Sequence, residues 1–264
     1  MVCACNPKPS LSSRGFTLLE LSVVLLVLSL MLGGLLAVMT QETRISKTEE
    51  LKQKMDAIEY ALVSYSKRSD TQRLPCPANP TLAVGHVDFG FAGNPNCKTG
   101  TGNRALPTAL SDSAIAIGTV PVRTIGLPDE YAFDPWGNRF SYAVSISITH
   151  ANALAVYPVT FPDVNSIVVE SVSGFPIGNF SVVIISHGPN GYGAFTRTGV
   201  RRNVTTADVN EISNSAWDGS DDALSNTLIS GHDSNSSLTM TGFDDIVRYY
   251  PRSSFRLADD TLIP

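Results

Sequence analysis

What this 264-residue chain lacks narrows its chemistry first. Its four histidines, His86, His150, His187 and His232, form no H-E-x-x-H pair, and neither a G-x-S-x-G elbow nor a G-x-x-x-x-G-K-[ST] loop occurs. The spacings used by zinc proteases, serine hydrolases of that class and P-loop nucleotidases are therefore missing. Ser186 beside His187 is no substitute, because neighbouring residues on a strand point to opposite faces. An enzyme is not expected. Positive charge is short as well: the formal net charge is -5 even with Lys8 and Arg14 counted in the first fifteen residues. Tight nonspecific binding of nucleic acid needs clustered cations that displace counterions from phosphates. Arg197, Arg201 and Arg202 form only a small cluster, of the kind that solvated loops commonly carry. No nucleic-acid partner is expected. Cysteine is limited to two pairs, Cys3 with Cys5 and Cys76 with Cys97.

One stretch lacks charge altogether. Between Leu21 and Met39 there is none, and Ser22 and Ser29 are the only hydroxyls, so this run approaches the roughly 20 residues that cross a bilayer core. A cleaved secretory signal would have a shorter apolar core and a small-x-small site. No cysteine follows closely, as a lipoprotein site would require. The two cysteine pairs thus lie on opposite sides of a predicted span. Just ahead of the run stands Glu20, four residues after Phe16 and so about 6 Å along a helix axis. An acid there has a plain explanation, since it reaches the head-groups and suits a helix N-terminus.

The residues around it supply a second explanation. RGFTLLE, Arg14 to Glu20, joins a short basic leader, Gly15, the aromatic Phe16 and a glutamate ahead of an unbroken apolar run. This resembles the class III signal sequence of type IV pilins and type II secretion pseudopilins. The resemblance implies that a prepilin peptidase cuts after Gly15 and methylates the new amine of Phe16. It also implies that Glu20 meets the N-terminal amine of a neighbouring subunit during filament assembly. Physical logic agrees, because a buried cation and carboxylate offset each other's desolvation only when paired. Further implied partners are other pilin or pseudopilin subunits, an inner-membrane assembly platform and membrane lipid. Lys8 and Arg14 favour a cytoplasmic N-terminus, although Arg44, Lys47, Lys52 and Lys54 make the downstream flank mixed; the head is then periplasmic. Many type IV pilins carry a proline partway along this helix. Here Gly33 and Gly34 stand in the later half, where they permit a bend, and Gly33 with Ala37 allows close helix approach.

Beyond Met39 the chain turns polar without proline or glycine as far as Arg68. Leu51, Met55, Ile58, Leu62 and Tyr65 recur at steps of four and three, which predicts one apolar stripe on a continuing helix. LPCPANP, Leu74 to Pro80, ends it. The predicted organisation is a leader at 1–15, a transmembrane helix at 16–40, its extramembrane continuation at 41–70, and a head at 71–264. Within the head, 71–128 reads as loop-rich and 129–264 as β-sheet. In an oxidising periplasm a Cys76–Cys97 disulfide would contribute roughly 3 kcal/mol. Two unpaired thiols are the rival, and zinc on Cys76, His86 and Cys97 has unsuitable spacing.

DPWG, Asp134 to Gly137, fits a type I turn. NRFSYAVSISI alternates as a half-buried strand, NSIVVESV and NFSVVIIS give two more strands, and SHGPNGYGAF reads as strand, turn, strand. DPWGNRFSYAV, SHGPNG and FDDIVRY also resemble, in order, the sheet and C-terminal segment of major pseudopilins, whereas Thr198 to Thr241 has no counterpart. The predicted fold is α+β and pilin-like, a long N-terminal helix packed on an antiparallel sheet. Major pseudopilins bind calcium in a C-terminal loop, which directs attention to Asp218, Asp221, Asp222, Asp233, Asp244 and Asp245; the competing account is acidic loops that keep the head soluble. No other cofactor is expected. The resemblance implies a subunit of a type II secretion pseudopilus or type IV pilus-like filament that acts by polymerisation. The alternative is a filament-tip module that binds an exoprotein, a surface or DNA.

Overall fold

A computed structural model describes residues 17–68, 72–93, 97, 115–151, 153–154, 167–202, 209–215, 227–230 and 244–255; for 32–44, 209, 212, 215 and 227–230 the backbone alone is described. Contacts divide the chain into two compact units, Met1–Lys47 and Thr48–Pro264. A single helix, α1 (Leu18–Ser66), contributes residues to both. It runs through Gly33 and Gly34 without a break in helical hydrogen bonding.

In the second unit the predicted stripe is buried: Leu51, Met55, Ile58 and Leu62 belong to the main core, while Tyr65 is half-buried. Their spacing of 3.6 residues per turn brings all of them to one face. That face packs on a four-stranded antiparallel sheet of order β1 (Ile115–Thr119), β2 (Ser141–Ser145), β5 (Val182–Ser186) and β7 (Ile246–Tyr250). Tyr142, Val144, Val182 and Ile184 point into the helix-side core. The architecture is therefore α+β, an N-terminal helix followed by an antiparallel sheet.

Four details depart from the sequence reading. First, β2 is buried on both faces rather than one. A second sheet, in the order β4 (Pro176–Phe180), β3 (Ile167–Ser171) and β6 (Thr227–Ser230), supplies Ile167 and Val169 against Ala143, Val183, Ile185 and Val247. Second, the alternation of Phe140 to Ile148 outlasts the strand, since residues 146–148 form a 3-10 turn whose Ile146 and Ile148 still reach the core. Third, β3 and β6 pair in parallel. Fifty-five residues separate their ends, ample for a crossover, whereas the four-residue link between β3 and β4 enforces antiparallel pairing there. The strand expected after the SHGPNG turn is reduced to one bridge, Phe195 with Arg201.

The described part of the loop-rich region is pinned to the rest of the head. Cys76 and Cys97 are joined by a disulfide with their Cα atoms 5.2 Å apart, and both are buried. Arg139 lies in the core, where it donates to the carbonyls of Pro80, Leu82 and Arg197 and sits over the rings of Phe89 and Phe133. Loss of hydration pulls its pKa down to about 10. A buried cation held this way ties residues 80–89 to the sheet region through charge-assisted hydrogen bonds.

Candidate functional site

Two regions carry the chemistry. Gly15 and Phe16 lie outside the described residues, but Glu20 opens the helix. Its amide donates to Thr17 Oγ1 at 3.3 Å, half of the T-x-x-E capping box that satisfies otherwise orphaned amides. Its carboxylate also lies in the first turn, where the helix dipole favours negative charge. Behind it Leu18 is 89% exposed, and Leu19, Leu21 and Val23–Leu28 are exposed in turn, so this part of the helix is apolar all round. Ser22 and Ser29 return their hydroxyls to the carbonyls of Leu19 and Leu26, both at 2.8 Å, and present no free donor to their surroundings. Such a surface calls for lipid or another helix rather than water. Among the described residues no helix is long and apolar enough to cross a membrane. The fully described part of the run stops at Met31, short of the Met39 at which the sequence places its end.

The second region is in the head. DPWG forms its turn, Gly137 N donating to Asp134 O at 3.0 Å while Asp134 Oδ1 accepts from the amides of Trp136 and Asn138. Asp134 Oδ2 accepts from Ser186 Oγ at 2.9 Å. Burial raises its pKa, and the hydrogen bonds from Asn138, Ser186 and Trp136 pull against that rise. Ser186 and His187 do face different partners: His187 Nε2 lies 2.7 Å from Ser141 Oγ and its Nδ1 lies 3.5 Å from Asp245 Oδ1. The order acid, imidazole, hydroxyl resembles a nucleophilic triad, but Ser141, His187 and Asp245 are all buried. With all three side chains buried, the trio forms a polar tie across β2, the end of β5 and the start of β7.

Asp245 leads to the most unusual cluster. Oxygens of Glu211, Asp244 and Asp245 lie within 4.8 Å of one another, and the residues are 1%, 2% and 3% exposed. Glu211 is presented by α2 (Val209–Ser215) and the two aspartates by the approach to β7. One oxygen of each is held: Glu211 Oε1 and Asp244 Oδ2 accept from the side chain and amide of Asn190, and Asp245 Oδ2 accepts from Asn214. Glu211 Oε2 and Asp244 Oδ1 are buried without a hydrogen-bond partner. Gly188 allows this approach; with φ of +55°, it lies where a Cβ would fall 2.6 Å from Asp244 Cγ. Unit negative charges this close repel by about 3 kcal/mol per pair at an effective dielectric near 20. Burial, together with the Glu211 and Asp245 charges, pushes Asp244 up to about 8, and burial beside Asp245 raises Glu211. Three hard oxygen donors with buried lone pairs unspent fit a divalent cation of the calcium class. Of the acids singled out in the sequence, Asp244 and Asp245 take part, while Asp218, Asp221, Asp222 and Asp233 lie outside the described residues. Glu211 was missed, since no local pattern links it to residues 33 positions away.

Comparison with known proteins bears on the first region. Residues 11–36 match the prokaryotic N-terminal methylation motif. The chain thus carries the class III signal of type IV pilins and pseudopilins, which implies processing by a prepilin peptidase and assembly with other pilin-type subunits. No curated protein and no solved structure matches the chain.

Proposed function

We propose that the chain is a structural subunit, a pseudopilin or minor pilin, of a type II secretion pseudopilus or type IV pilus-like filament. It works by polymerisation rather than turnover. The observation that carries this reading is the methylation motif at residues 11–36, with Glu20 in the first turn of a helix whose next apolar residues are exposed on every side. Prepilin peptidase removes residues 1–15 and methylates Phe16. The helix waits in the inner membrane with its N-terminus cytoplasmic and its head periplasmic, and Glu20 then pairs with the amine of a neighbouring Phe16. Lipid covers the apolar surface before assembly, and neighbouring helices cover it afterwards.

The test combines mass spectrometry of the mature N-terminus with a Glu20→Leu variant. The wild type begins at a methylated Phe16, and the variant is cut and inserted like the wild type yet is lost from sheared filaments. An intact Met1 start in membrane fractions, or normal incorporation of the variant, defeats the reading. A second reading, a filament-tip binding module, draws support from the β3–β4 hairpin, where Val172, Phe175 and Ile177 are exposed.

A further inference from the structure

In the sequence Arg197, Arg201 and Arg202 read as solvated loop charge, but the structure sets them beside exposed apolar residues. We propose that loop 81–87 and the turn from Phe195 to Arg202 form a docking surface for an acidic, apolar-bearing segment of a second protein, with the Arg197 guanidinium as its carboxylate anchor. This adds a contact of the head to the polymerisation reading, on which it rests only for where the head is displayed.

The surface is apolar and cationic at once. Val84, Val87 and Val200 are 38%, 74% and 63% exposed, and Arg197 and Arg202 are exposed beside them. The two segments lie side by side, since the Val84 amide donates to the Arg197 carbonyl at 2.9 Å. Single exposed valines would need no account, but three grouped with arginines match the make-up of a contact surface. The surface is also preorganised. The Arg197 guanidinium carbon lies 4.4 Å from the centre of the buried Phe133 ring, which fixes the plane of its donor fork. Among the described residues neither Arg197 nor Arg202 pairs with a carboxylate. The neighbouring Arg139, which donates to the Arg197 carbonyl at 3.1 Å, keeps its charge at neutral pH because its pKa falls only to about 10. Gly199, at φ of +80°, sits so close to loop 81–87 that a Cβ would fall 2.1 Å from the Thr81 carbonyl oxygen. A surface fixed in this way loses little freedom on binding, so a small contact suffices for affinity. Such charge calls for an acidic partner, and the described acids of the head do not form one. Glu50 pairs with Lys54, Asp129 with Arg123, and Asp56 and Glu59 with Arg248. Glu130 shares a depression with Glu50, but Lys54 lines it too and supplies a counter-charge. Glu49 and Glu170 stand on different elements, α1 and β3. A second copy therefore fits less well than a separate acidic protein. Nucleic acid fits less well too, because tight phosphate binding takes about six to ten cationic contacts. Arg201 already donates to the Gly193 carbonyl, and the valines gain nothing against phosphate.

The test is fluorescence anisotropy of a labelled peptide that repeats glutamate, leucine and glycine, titrated with the full-length protein in detergent. The wild type binds it saturably, binds the version with glutamine for glutamate at least about tenfold more weakly, and loses affinity as salt rises. Arg197→Gln keeps the carbonyl used by Val84 and Arg139 and weakens binding at least about tenfold; Val87→Ser weakens it by a smaller factor. Urea midpoints read through Trp136 report whether each variant is folded, and the wild-type comparison of the two peptides decides the matter even if one is not. Absence of saturable binding by the wild type overturns the proposal, as does a folded Arg197→Gln protein that binds as tightly. A DNA duplex that displaces the labelled peptide at lower concentration than the unlabelled peptide does overturns it in favour of nucleic acid. Self-association of the wild type that Arg197→Gln abolishes overturns it in favour of a second copy. Filament incorporation is scored separately, so failure here leaves the polymerisation reading standing.

Discussion

Breaking the Cys76–Cys97 disulfide tests how much of the head's stability rests on a covalent tie rather than on packing. The bridge spans a sequence separation of 21. Loop-closure entropy for a ring of that size is about 11 cal/mol/K, which is about 3 kcal/mol at 25 °C. Both cysteines also belong to the main core with Leu74, Phe89 and Val122. Replacement of both by alanine therefore adds the loss of two buried sulfurs, about 1 kcal/mol each. The assay is urea unfolding of the full-length protein in detergent, followed through Trp136, which packs partly buried against that core. With a slope near 2 kcal/mol/M, reduction should lower the midpoint by about 1.5 M and the double alanine variant by about 2.5 M. A reduced protein that unfolds at the oxidised midpoint would refute the entropic argument. Equal midpoints for the reduced and double-alanine proteins would refute the packing contribution.

Two further outcomes follow from the head. Ile58 has no exposed surface and Tyr60 is 78% exposed, so Ile58→Ala should cost 2–4 kcal/mol in the same assay while Tyr60→Ala stays within about 0.5 kcal/mol. Stability in EDTA should also depend on pH through Asp244. Below its ordinary value of 3.8 the group is protonated folded or unfolded; between there and about 8 only the folded form keeps the proton. Each upward step in that window therefore favours unfolding, and unfolding midpoints that rise from pH 5 to pH 8 in EDTA would contradict the shift.

How much was legible beforehand varies with the range of the interaction. The stripe Leu51, Met55, Ile58, Leu62 could be read because a helix turns short-range spacing into a face. DPWG could be read because its hydrogen bonds close within five residues. The double burial of β2 was not legible, since Ala143 and Ser145 are small and pass for the solvent side of an alternating strand until a second sheet is laid over them. The parallel partner of β3 was hidden because 55 residues separate the two strands and no local spacing links them. At the candidate site, Asp244 and Asp245 drew notice by charge density, but nothing in VNEISNS distinguishes Glu211 from a solvated surface acid. The tie from Ser141 through His187 to Asp245 spans positions too distant for any motif to register.

The last described strand and the helix near the start of the head depend on each other. Arg248 pairs with Asp56 and Glu59, the Tyr250 hydroxyl donates to Glu59 at 2.9 Å, and Ser66 Oγ donates to the carbonyl of the buried Phe255 at 3.0 Å. A ribosome delivers Leu51 to Leu62 long before it delivers residues 246–255, so the apolar face of the helix must wait, unfinished, for the tail of the chain. Premature termination anywhere before Ile246 would leave β5 with an open edge and the helix without its closing contacts. Only a chain synthesised through Phe255 can finish this head, so the fold of the helix's apolar face is settled last rather than first.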